Sequence, residues 1–200
     1  MLELPANNVM EAPNKADFHL TGVKTKSRVR LIVLLIVGLV LVPPILYVAA
    51  VIFLVQPVKV EGTAMSPTLN DGDRIFIWKD FSTLKRGDIV VFLFPLDRSK
   101  SFIKRVVGLP GDVIDMDTDG RITINGRVID EPYVPLDRNQ AALSRWRLAR
   151  EEFKHIDSDS YFVMGDNRDA SNDSRSWGTV SKSLVYGKFM SRYWPLRAVK

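Results

Sequence analysis

The stretch RITINGRVI, residues 121–129, decides the fold class. Residues 122–124 and 127–129 are short runs of mostly β-branched residues, and Asn125-Gly126 between them supplies the two positive φ angles of a type I′ turn. That is a β-hairpin. Working outward, similar runs rich in β-branched and aromatic residues recur at 74–78, 88–94, 102–107, 113–117, 161–164 and 186–190, with Gly, Pro and Asp in the turns. Many short strands separated by turn residues predict a mainly β, antiparallel domain. Between Asn139 and His155 the period changes. Leu143, Trp146 and Phe153 fall at helical spacing, with polar residues such as Arg147 and Glu151 elsewhere, which predicts a short helical insertion, read as a surface one.

Upstream of the β-pattern, residues 31–55 read LIVLLIVGLVLVPPILYVAAVIFLV without a single charge. As a helix this run would cover about 37 Å at 1.5 Å per residue, enough to span a bilayer with some tilt. Pro43 and Pro44 predict a kink near its middle. The run is longer than the apolar core of a cleavable signal peptide and leaves through Gln56 and Pro57, so it reads as an uncleaved anchor. Lys24, Lys26, Arg28 and Arg30 precede it, whereas only Lys59, set against Glu61, follows closely. The positive-inside bias then places the N-terminus in the cytoplasm and everything after Gln56 outside. The expected organisation is a cytoplasmic tail at 1–30, a single-pass anchor at 31–55 in the cytoplasmic membrane, and an extracytoplasmic β-domain at 56–200. Residues 1–23, with Pro, Asn and scattered charges, read as a disordered tail.

Composition narrows the chemistry. A net charge of +5 over 200 residues is mild, and no basic tract with interleaved aromatics appears, which argues against a nucleic-acid partner. The chain has no cysteine, so disulfides, a thiol nucleophile and thiolate metal sites are excluded. Its two histidines, His19 and His155, lack the ligand spacing of a zinc site, and neither a metal nor a cofactor is expected.

Four segments carry the motifs: GTAMSPTL at 62–69, RGDIVVF at 86–92, KRVVGLPGD at 104–112 and GDNRDASNDSRSWG at 165–178. In the third, strand alternation sets Phe102, Lys104 and Val106 on one face, so an amine among apolar neighbours is expected to be desolvated and its pKa lowered. A neutral lysine amine is a general base. In the fourth, Asp166, Arg168, Asp169, Asp173 and Arg175 alternate in sign, a pattern that predicts hydrogen-bonded pairs holding an irregular loop.

In this order behind an N-terminal anchor, the four segments resemble the boxes of bacterial type I signal peptidases, the Ser/Lys dyad family. The resemblance runs from about residue 30 to the YWP at 193–195. It implies an endopeptidase, anchored by one transmembrane helix, that removes signal peptides from exported preproteins after small residues at −1 and −3. Exported preproteins and membrane lipid are the partners it implies. Mapped onto this chain, the nucleophile position is Ala64 and the general base is Lys104. Ser171 is implied to hydrogen-bond the lysine amine, with Asp173 and Arg175 as a supporting pair. Met65 and Pro67 match the nucleophile turn. Gly62 stands where some members have a serine that donates to the oxyanion, which leaves main-chain N–H groups, including that of residue 64, as donors here.

Alanine has no Oγ. Three readings follow from Ala64: a diverged relative that keeps the fold and binds signal peptides, a Ser-to-Ala change in an active peptidase, or cleavage through a neighbouring hydroxyl. If the segment is extended, Thr63 points to the opposite face and Ser66 lies roughly 7 Å along the chain.

Overall fold

A computed structural model describes residues 21–79, 83–135, 143, 146 and 154–196. Its first element, α1, is a helix of 34 residues, Thr21–Leu54, continuous through Pro43 and Pro44. The helix starts ten residues before the uncharged run and takes in Lys24, Lys26, Arg28 and Arg30. Lysine and arginine are good helix formers, so the apolar helix extends backwards through them at little cost. This corrects the expected disorder at 21–23; residues 1–20 lie outside the described residues. Ser27–Leu54 is long and apolar enough to cross a membrane.

The β-unit begins at Val51. Its strands are β1 Val55–Lys59, β2 Arg74–Trp78, β3 Ile89–Phe94, β4 Asp97–Gly108, β5 Ile114–Met116, β6 Ile122–Ile124, β7 Arg127–Val128, β8 Ser160–Met164, β9 Val180–Ser181 and β10 Val185–Trp194, with a short helix α2 at Ser174–Trp177. A seven-stranded sheet has the order β1-β2-β10-β3-β4-β8-β9, and β5-β6-β7 form a small second sheet. Every pairing is antiparallel, as the turn-rich pattern predicts. The Asn125-Gly126 turn has φ angles of 51° and 77°, the positive pair that its sequence demands.

Two strands were hidden from the sequence. β1 continues directly from the apolar run and contains Pro57, which an edge strand tolerates because one side of its backbone needs no ladder partner. β9 has two residues, too few for any pattern to show. β4 is also longer than expected, because pairing with β3 draws the polar stretch from Asp97 into the ladder.

Three apolar clusters form the core. One lies between the small sheet and β4 and β8, built from Val107, Ile114, Ile122, Ile124, Phe162 and Met164. Trp146 closes it: the ring is 4% exposed, meets Phe162 edge-on at 5.9 Å between centroids, and donates its indole N–H to Asp115 at 2.8 Å. The insertion is therefore not a surface feature at Trp146, because a large ring with its one polar atom satisfied gains more from burial than from exposure. Leu143 and Trp146 are both helical; the rest of the expected helix, including Arg147, Glu151 and Phe153, lies outside the described residues. The second cluster joins Val90, Phe92, Val106 and Val163, and the third joins Met65, Leu69, Ile75 and Ile77.

Candidate active site

Lys104 sits in mid-β4, opposite Val90 of β3. On the other side β4 pairs with β8 through Arg105↔Met164, and the register continued by one residue sets Gly165 beside Lys104. The lysine is 5% exposed. Its Nζ donates to the Ile103 carbonyl at 3.1 Å and lies 5.2 Å from the centre of the Phe102 ring. Burial pulls its pKa down to about 8; Asp173 and, more weakly, Asp166 oppose this, while Arg175 adds to it. Such an amine is partly neutral near physiological pH and can accept a proton.

Ala64 faces the same cleft of about 640 Å³ as Lys104, together with Gly62, Thr63, Met65, Ala170 and Asn172. The segment around it is a turn rather than the extended chain considered from sequence: Ser66 N–H donates to the Thr63 carbonyl at 3.1 Å and Leu69 N–H to that of Met65 at 2.9 Å. Gly62 enters the turn at φ 83°, where a side chain would be strained, and its N–H is held by Asp71 at 2.7 Å. Met65, 1% exposed, pins the turn into the core. Pro67 follows a cis peptide on the exposed side. The Ser66 hydroxyl donates to Asn70 at 2.9 Å and does not line the cleft, so of the two neighbouring hydroxyl residues only Thr63 borders it. Among the described residues the Ala64 N–H meets no acceptor, which leaves it available to an oxyanion.

The loop after β8 locks onto this turn. Asn167 donates its backbone N–H to the Ala64 carbonyl at 3.0 Å and its side-chain amide to the Thr63 carbonyl at 3.1 Å. Asp173 and Arg175 pair at 2.8 and 2.9 Å with both side chains fully buried. Burial alone would raise the Asp173 pKa, but Arg175, the Gly165 N–H and the Ser171 hydroxyl outweigh it and hold the carboxyl below its usual range. Ser171, itself buried, thus helps to keep Asp173 charged. Two pairs expected inside the loop are made elsewhere: Asp166 binds Arg105 at 2.6 Å and Arg168 binds Glu131 at 2.6 Å, while Asp169 is exposed. A buried ion seeks the nearest opposite charge in space, and the sheet brings those of β4 and of the segment after β7 closer than those along the loop.

Gly165 is a residue the sequence reading passed over. A Cβ built there would overlap both the Ser171 side chain and the Ala64 carbonyl. Gly165→Ala is expected to push the loop off the turn, costing about 1–3 kcal/mol of stability and on the order of 10²-fold in cleavage. Thermal melting, with preprotein turnover in the Ala64→Ser background, reads both; an alanine variant with unchanged turnover would show that the close approach is unimportant.

Residues 28–194 match the family model described as signal peptidase, peptidase S26. The chain belongs to the S26 signal peptidase family. It is 37% identical over 153 residues to signal peptidase I of Bacillus licheniformis, covering 74% of this chain and 81% of that one. It is 32% identical over 160 residues to signal peptidase IB of Staphylococcus aureus, covering 74% and 82%. A crystal structure of a signal peptidase I from Enterococcus faecalis V583 is similar at 27% identity and a TM-score of 0.43, over 56% of this chain and all of the other. Family membership makes the chain a serine-protease-family enzyme of signal-peptide processing, and its apolar N-terminal helix fits a membrane-anchored protein.

The structure brings Gly62, Ala64, Met65 and Lys104 to one cleft, with Ser171, Asp173 and Arg175 against its wall. Sequence reasoning missed Asn167, Arg105, Glu131 and Tyr133. Arg105 carried a signal, since a charged residue between Ile103 and Val107 on one face of a strand needs a partner.

Proposed function

We propose that the cleft is the catalytic site, with Lys104 as general base, position 64 as the seat of the attacking group and the main-chain N–H of residue 64 as an oxyanion donor. The observation that carries this is the buried Lys104 amine, its pKa near 8, opening onto the same cleft as Ala64. Gly62, Met65 and Pro67 shape the turn, while Ser171, Asp173 and Arg175 are positioning residues. The substrates are exported preproteins. The outer edge of β1 and the part of β4 that extends beyond β8 both border the cleft, so an extended peptide can add to them as a strand. Val58, Val60, Ile103 and Tyr186 line the space beside that path, leaving room for small side chains, as cleavage after small residues at −1 and −3 requires.

Alanine at position 64 leaves the nucleophile position itself without a hydroxyl. The peptide-binding edges and the base remain in place, so the chain is expected to bind signal peptides and to cleave them only at a residual rate. The test is a preprotein cleavage assay on the chain, on Ala64→Ser, and on Ala64→Ser with Lys104→Ala. Cleavage gained with serine and lost with Lys104 supports the assignment; cleavage by the chain as written that is insensitive to both positions overturns it. Thr63→Ala and Ser101→Ala in the same assay separate out the serine and threonine hydroxyls that line the cleft.

The basic residues at 24–30 and the near-neutral stretch after the helix support an N-terminus in the cytoplasm, with the tail at 1–30, the anchor at 31–55 set in membrane lipid, and the β-domain at 56–200 outside. Trypsin added to intact spheroplasts is expected to digest the β-domain. Its protection there, with digestion only after lysis, would reverse the orientation.

A further inference from the structure

Beside the active-site loop lies an ion pair for which the proposed mechanism has no use. Arg168 leaves the loop through the interior with its side chain fully buried, and Glu131 grips it at 2.6 and 3.0 Å. Arg168 Nε also donates to the Gly165 carbonyl at 3.2 Å, and the Arg168 carbonyl accepts from Arg175 Nη2 at 2.9 Å. Arg175 holds Asp173, which accepts the Gly165 N–H at 3.1 Å. Glu131 comes from the segment after β7, 37 residues from Arg168, and receives the Tyr133 hydroxyl at 2.8 Å. The Tyr133 ring lies 3.9 Å from the Arg105 guanidinium, next in sequence to Lys104.

We propose that Glu131 is a positioning residue of the active site: by holding Arg168 it keeps the Asp173–Arg175 pair in place and so sets the electrostatic field in which Lys104 works. This rests on the reading of Lys104 as base. A buried guanidinium deprived of its carboxylate turns to the next one. For Arg168 that is Asp173, whose charge already acts on it. Asp173 shared between two guanidiniums would attract the Lys104 ammonium less. The charged and titratable groups facing Lys104 are Asp173 and Arg175 from the loop, Asp166 after β8, and Lys59, Glu61 and Tyr186 along the cleft. Of these, Asp173 and Arg175 are the ones joined to Arg168.

The test is Glu131→Gln in the full chain, with Lys104 titrated by carbon-13 NMR of its ε carbon, and the pH profile of preprotein cleavage measured in the Ala64→Ser background. The Lys104 midpoint and the acid limb of kcat/KM are expected to fall together by roughly 0.5–1 pH unit, with Glu131→Asp restoring most of the shift. Glu131→Met with Arg168→Met removes both buried charges and is expected to return the midpoint to that of the parent; it also serves if Glu131→Gln does not fold. A loop merely loosened would admit water and move the midpoint up towards 10.5. That rise, an unmoved midpoint, or a double variant displaced from the parent would overturn the proposal. A shifted midpoint without any cleavage on restoring serine would instead sink the base assignment and leave the coupling standing.

Discussion

Replacing Ala64 with serine is expected to raise preprotein turnover by roughly 10³- to 10⁶-fold, since loss of the nucleophile in a serine protease costs about 2 × 10⁶. The turn is already closed, with the Ala64 carbonyl held by Asn167 and the residue backed by buried Met65, so an added Oγ extends into the cleft that Lys104 also lines. In the mechanism proposed above, the Oγ would attack the scissile carbonyl carbon as its proton passes to the neutral Lys104 amine, with the N–H of residue 64 meeting the oxyanion. Lys104 then returns the proton to the departing amine, and water hydrolyses the ester. Because only the neutral amine accepts the proton, the rate should climb through about pH 8 and level off above it. A serine variant no faster than its parent, or one whose rate ignores pH across roughly 6 to 9, would refute the assignment.

The second large effect runs in opposite directions for stability and activity. Lys104 has a folded-state pKa of about 8 against an ordinary 10.5. Between those values the unfolded chain binds the extra proton, so stability rises as the pH is raised through that window; below about 8 the full penalty applies. A shift of that size corresponds to about 3 kcal/mol of destabilisation at neutral pH. Lys104→Met removes the buried charge and keeps the apolar stem. It is expected to stabilise the β-unit by about 1–3 kcal/mol at pH 7, the loss of the Ile103 hydrogen bond offsetting part of the gain, and to abolish cleavage in the serine background. A calorimetric melt at pH 7 and pH 10 checks the sign, because the advantage of methionine should shrink at the higher pH. A variant less stable than its parent at both would mean that the amine is better solvated than its surroundings indicate.

Most of the scaffold was legible because its signals are local. Asn125-Gly126 specifies a turn by backbone sterics alone, and the β-branched and aromatic run at 74–78 marks β2 by composition. β1 was not legible, since an apolar strand following an apolar helix has no boundary in composition. Lys104 could be read because burial of an amine follows from its immediate neighbours. The partners of Asp166 and Arg168 could not, since they depend on register between β4 and β8 and on where the chain lies after β7. Nor could Gly165, whose requirement for a bare α-carbon comes from Ala64 and Ser171, at a distance of 101 positions in one case and six in the other.

The two strand edges that border the cleft have a consequence for the range of cargo. A guest that adds to them as a strand is gripped through amides and carbonyls common to every residue, so its identity enters only where a side chain must fit beside Ile103 or Tyr186. If peptides bind in this way, the site would be a generalist, serving many unrelated leaders with one geometry and discriminating by the shape left over rather than by any letter it demands.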